Sequence, residues 1–63
     1  MMFFLSYYNK EADQIYYFKR MKNNVIELSK RLTKCVARFD HREEALLIAI
    51  ELEGRIDLEV HEE

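Results

Sequence analysis

The chain holds one glycine, Gly54, and no proline in 63 residues. Tight turns draw on Gly, Pro, Asn and Asp, so a chain this poor in the first two is expected to turn seldom. Few turns in so short a chain imply a few long elements, and helices are the default. The same scarcity argues against all-β folds. It argues equally against Rossmann and P-loop sites, which need several glycines for backbone approach to phosphate.

The length permits one domain, residues 1–63. A domain near 60 residues buries only roughly 60% of its unfolded surface, so it needs a staple or very good packing. Cys35 is the only cysteine, so no disulfide forms within the chain. A lone cysteine fits a reducing compartment, and a cytoplasmic location is expected. One cysteine and two separated histidines, His41 and His61, do not make a metal site, and no cofactor is expected. That leaves helix packing or a partner subunit. The longest apolar runs, Met1–Leu5 and Ala45–Ile50, are far below the roughly 20 residues of a membrane span.

The net charge of −2 hides two opposed halves. Residues 1–39 carry eight Lys/Arg against three Asp/Glu (+5), and residues 40–63 carry two against nine (−7). Such a split calls for internal pairing or an external partner.

Phe18, Met21, Val25, Leu28, Leu32, Cys35 and Phe39 follow spacings of 3 and 4, a seam of three heptads. Asn9 is placed to cap, with Glu11 and Asp13 in the first turn. The pattern predicts one helix over about 9–38. Asp40-His41-Arg42-Glu43 reads as a capping-box start and Gly54 as a C-terminal stop, predicting a second helix over about 41–53. Leu46, Ile48, Ile50 and Leu52 cover more than one face of it, which calls for more than one neighbour. The expected fold is therefore all-α: an antiparallel helical hairpin that dimerises into a four-helix bundle. A period-2 run through Ile48, Ile50, Leu52, Ile56, Leu58 and Val60 competes with this reading. It leaves residues 55–60 as a short strand or a helical extension, with Phe3–Tyr8 available as a strand to pair with it. A hairpin turning at Glu53-Gly54-Arg55 is the other form of that alternative.

Seven of the eight aromatics fall in the first 18 residues. Phe3, Phe4, Tyr7, Tyr8, Tyr16 and Tyr17 are the candidates for a partner-binding or dimer surface, since Tyr and Phe anchor interfaces. Lys30, Arg31, Lys34 and Arg38 are candidate phosphate contacts on the basic flank of the first helix. Pairing with the acidic second half is the favoured role for that flank. Cys35 is expected buried and inert at a seam position. Ser6, Ser29 and Thr33 show no catalytic arrangement, and no catalytic or metal-binding residue is assigned.

The stretch Val25–Leu32, followed by Glu43-Glu44-Ala45-Leu46 and Ala49-Ile50-Glu51-Leu52-Glu53, resembles in spacing the small helical-hairpin aspartyl-phosphate phosphatases of sporulation control. Their second helix carries Ser-Gln-Glu-Leu-Asp. Glu51 and Leu52 match it, whereas Ala49, Ile50 and Glu53 replace its serine, glutamine and aspartate, so the activity is not carried over. The pattern is also similar in length to the plasmid copy-control hairpins that dimerise into four-helix bundles. The expected function is a small non-catalytic interaction protein, an adaptor or regulator working through helix faces and its aromatic N-terminus. The alternatives are a nucleic-acid-binding regulator using the basic flank and, behind it, a response-regulator phosphatase.

Overall fold

The computed structural model describes residues 1–63. Three strands come first: β1 (Phe3–Asn9), β2 (Gln14–Lys22) and β3 (Val25–Ser29). A loop over residues 30–41 leads to the one helix, α1 (Arg42–Leu52), and the chain closes with β4 (Glu59–Glu62). The sheet is antiparallel throughout, in the order β3-β2-β1-β4. This overturns the all-α hairpin, and with it the coiled coil and the four-helix bundle. The segment 9–38, expected as one helix, is two strands, two turns and a loop. The phosphatase and copy-control likenesses lose the hairpin on which they rested.

The reason lies in the turns. Asn23 and Asn24 form the whole connection between β2 and β3, with φ of 52° and 63°. Two successive residues at positive φ make the primed turn whose twist matches a hairpin, and asparagine tolerates that region better than other non-glycine residues. Between β1 and β2, Asp13 takes φ 51°, and the Asn9 side chain accepts from the Ala12 N–H at 3.2 Å. Thus Asn and Asp do the turning that glycine and proline were expected to do.

The first step of the heptad spacing, Phe18 to Met21, has a strand explanation, whereas Val25 falls on the opposite face and Leu32 and Cys35 lie in the loop. Phe18 pairs with Leu28, but Arg20 pairs with Glu27, leaving Lys19 as the extra residue of a bulge. A bulge shifts the alternation by one, so Phe18 and Met21 share a face while three residues apart. The aromatics of β1 and β2 suit a pleated surface, which is where their density places them.

α1 lies within the span expected for the second helix. His41, not Asp40, is the N-cap residue, and its N–H donates to Glu44 Oε1 at 3.2 Å. The helix ends at Leu52, and the Arg55 and Ile56 N–H groups both return to the Leu52 carbonyl, at 2.8 and 2.9 Å. Gly54 has no positive φ, and a Cβ there would meet nothing within 4 Å, so this position does not require glycine. The competing period-2 reading holds only in part: the N-terminal strand exists as β1, but it pairs with Glu59–Glu62 rather than with 55–60.

α1 packs against β1 and β4 on one face of the sheet. Leu5, Phe18, Ala45 and Leu52 form the buried cluster. Phe3, Phe39, Ile48 and Val60 pack around it. Residues 36–39 fill the space beyond the Ser6–Tyr17 pair, where the pairing of β1 with β2 stops. Val36 is buried, the Ala37 N–H donates to the Phe18 carbonyl at 3.0 Å, and Phe39 and Phe3 exchange N–H···O bonds of 2.9 Å. Arg38 fastens this strap. Its Nε and Nη2 bond Glu63 at 2.7 and 3.1 Å, and its Nη1 reaches the carbonyls of Thr33 and Val36, both at 2.9 Å.

Candidate functional site: the uncovered face of the sheet

A helix on one side leaves the other side of the sheet bare. Alternation along a strand decides which side chains stand there. Leu5 and Phe18 point to α1, so Phe4, Ser6 and Tyr8 of β1 point away, with Ile15 and Tyr17 of β2 and Glu59 and His61 of β4. These seven residues line one shallow hollow of about 210 Å³. Pockets for drug-sized ligands run to roughly 300–1,000 Å³. The hollow therefore fits one ring-sized group on an extended surface.

The middle of the face is tightly made. Ser6 pairs with Tyr17 on one side and Glu59 on the other. Its Oγ and His61 Nε2 share a hydrogen bond of 2.7 Å, with the donor set by the imidazole tautomer. The Phe4 ring stacks on His61 at 5.3 Å and tilts against Tyr17 at 5.9 Å. Toward the turn the face is more open: Tyr8 is 52% and Ile15 47% exposed. The Tyr8 hydroxyl donates to Asp13 Oδ1 at 2.6 Å, and this bond raises the phenol's pKa above its ordinary value. Toward β3 stand Arg20, Lys22 and Glu27. The Arg20 guanidinium, 2.8 Å from Glu27, holds that carboxyl below its usual range by hydrogen bonding.

A serine against a histidine invites comparison with nucleophilic hydrolases. That chemistry also needs a group orienting the second ring nitrogen and donors for an oxyanion. His61 makes no second hydrogen bond, and Glu59 lines the hollow without bonding the ring. Ser6 is 7% exposed, in a strand whose two neighbours take up its ladder positions. The pair braces β1 to β4 and sets a polar spot in an apolar face.

The structure scatters the other sequence candidates. Of the six aromatics, Phe4, Tyr8 and Tyr17 reach the bare face. Phe3 packs on the core, and Tyr7 and Tyr16 stack on each other at 6.3 Å on the helix side. Of the proposed seam, Phe18 and Leu52 are buried. Leu28, Phe39, Leu46 and Ile48 are half-buried. Met21, Val25, Leu32 and Ile50 are exposed, as is Cys35, which lies in the loop as a free thiol rather than in a core. Arg38 is engaged by Glu63 and two carbonyls, so it is a fastener and not a free phosphate contact. Lys30, Arg31 and Lys34 are exposed and enter no ion pair. Arg38–Glu63 is the one salt bridge joining the basic and acidic halves, so pairing between the halves does not account for the charge split.

Sequence reasoning missed Ser6, Ile15, Glu59 and His61 as one surface. The signal was the alternation Phe4-Ser6-Tyr8, legible only with β1 read as a strand. No three His, Cys, Asp or Glu side chains gather as a metal site. No helix is long and apolar enough to cross a membrane. Compared with protein-family models, with curated proteins and with solved structures, the chain matches none.

Proposed function

We propose that this chain is a non-catalytic protein-interaction module whose working surface is the bare sheet face. The observation that carries this reading is the imbalance of apolar surface. Five apolar residues are buried, while eight large ones stay exposed, Tyr8 and Ile15 of this face among them. Soluble monomers rarely leave contiguous apolar patches bare without using them. Aromatic rings around a small polar spot are the composition of an interface centre. Hydroxyl-radical footprinting tests the reading. Tyr8, Ile15 and Tyr17 are expected to be protected in an extract of the source cells, relative to the dilute purified chain. Leu47 on the outer side of α1 serves as the exposed reference. Equal labelling in both samples overturns it.

A second reading has its own observation. Lys30, Arg31 and Lys34 are exposed and unpaired in the loop after β3, and Tyr17 and Phe4 offer ring faces on which bases could stack. Binding of a labelled oligothymidylate, followed by anisotropy, would then weaken steeply with salt. No salt-sensitive binding removes this reading.

A further inference from the structure

We propose that the occupant of the bare face is a second copy of this chain, docked face to face on a two-fold axis parallel to the strands. The inference rests on the interaction reading and names its partner. The order β3-β2-β1-β4 puts the centre of the sheet between β1 and β2. Tyr8 and Ile15 are Cα partners across that line. An axis along it lays β1 of one copy over β2 of the other. Each Tyr8 then meets the other copy's Ile15, and each Tyr17 meets the hollow around Ser6.

Charge selects this axis over the perpendicular one. The open face is acidic on its β4 flank, where Glu59 stands. It is basic on its β2–β3 flank, where Arg20 and Lys22 outnumber Glu27. A two-fold axis along the strands sets each basic flank over the other copy's acidic flank. An axis across the strands would set like over like, which costs affinity. The result is a closed, self-complementary pair of aligned sheets about 10 Å apart, with α1 on the outside of each. Docking the sheet face on a second copy's acidic helix would instead leave a sheet face free at one end and grow without closing.

The face is small. Four strands about 4.8 Å apart and about 20 Å long give on the order of 400 Å² per copy. Stable complexes usually bury about 800 Å² per partner, so a weak, reversible dimer is expected.

Sedimentation equilibrium from roughly 10 µM to 1 mM reads it directly, with circular dichroism reporting the fold. The wild-type mass should rise from one chain toward two and stop there. Ile15→Glu, substituted near the axis at an exposed position, should hold the chain monomeric, whereas Ile50→Glu on the outer helix should leave the dimer intact. Glu59 is level with Ser6, Tyr17 and Ser29, so the axis sets it over the other copy's Ser29. Glu59→Lys should weaken the dimer, and adding Ser29→Glu should restore it. This charge pair keeps the test sharp should Ile15→Glu unfold. A monomer throughout the range overturns the proposal, as does mass growing beyond two, or a dimer lost with Ile50→Glu but kept with Ile15→Glu. If the pure chain stays monomeric while extract still protects Tyr8, the self-association falls and the interaction reading stands.

Discussion

At the scale of single residues, three side chains decide the topology: Asp13, Asn23 and Asn24, the non-glycine residues at positive φ. Asn23 illustrates the cost. A left-handed backbone is disfavoured by about 1–2 kcal/mol for most L-residues, and asparagine or glycine lowers that cost. Asn23→Ala is therefore expected to lower the unfolding free energy by about 1 kcal/mol, with Asn23→Gly close to wild type. Urea titration of the three proteins checks this. An equal loss for both substitutions would mean that the side chain acts through contacts rather than backbone conformation. Gly54 is the converse case, since its backbone is one that any residue adopts.

At the scale of elements, Arg38 fastens the strap over residues 36–39 in addition to its backbone bonds with Phe3 and Phe18. Hydrogen bonding from Arg38 lowers the Glu63 carboxyl below its ordinary 4.5. A carboxyl depressed in the folded state contributes stability above its unfolded pKa, and that contribution is lost as pH falls through the folded value. Glu27, lowered by Arg20, acts in the same direction. Thermal melts should therefore fall in midpoint as pH drops from about 6 to about 3. Glu63→Gln should melt lower at pH 6 and lose part of that slope. An unchanged slope would show that the strap is held by its backbone pairing with Phe3 and Phe18 alone. The elements also show where sequence periodicity misleads. A 3-4 pattern means a helix only where no bulge intervenes. At Lys19 one inserted residue makes two strand positions imitate a helical step.

At the scale of the whole molecule, the core is a small cluster under one helix. A 63-residue chain has a few kcal/mol of net stability to lose, at roughly 0.05–0.15 kcal/mol per residue. Leu5 is its fully buried large side chain. Leu5→Ala should cost about 2–5 kcal/mol and leave the chain largely unfolded in dilute buffer. Leu47→Ala, at a position 61% exposed, should move stability by less than about 0.5 kcal/mol. Circular dichroism with urea separates the two, and comparable losses would mean that Leu47 is covered in solution. The two faces of the molecule also differ in charge. α1 carries Glu43, Glu44 and Glu51, with Glu53 at its C-cap, while β2 and the loop carry most of the cations.

Local chemistry along the chain was enough for α1: a run of Ala, Leu and Ile between acidic ends forms a helix wherever it packs. Local chemistry also exposed the charge split, the lone thiol and the aromatic density of the first 18 residues. It could not choose between strand and helix for residues 9–38, because the bulge at Lys19 lets Phe18 and Met21 share a face as they would on a helix, and the chain alone does not mark where the later apolar residues leave that face. That choice depends on which segment lies alongside. β1 becomes a strand because β2 and β4 take up its N–H and C=O groups, partners that lie up to 59 residues away in register Phe3–Glu62. The binding face follows from the same cause. Phe4, Ser6, Tyr8, Ile15, Tyr17, Glu59 and His61 form one surface only after four strands are ordered and one helix has chosen the other side.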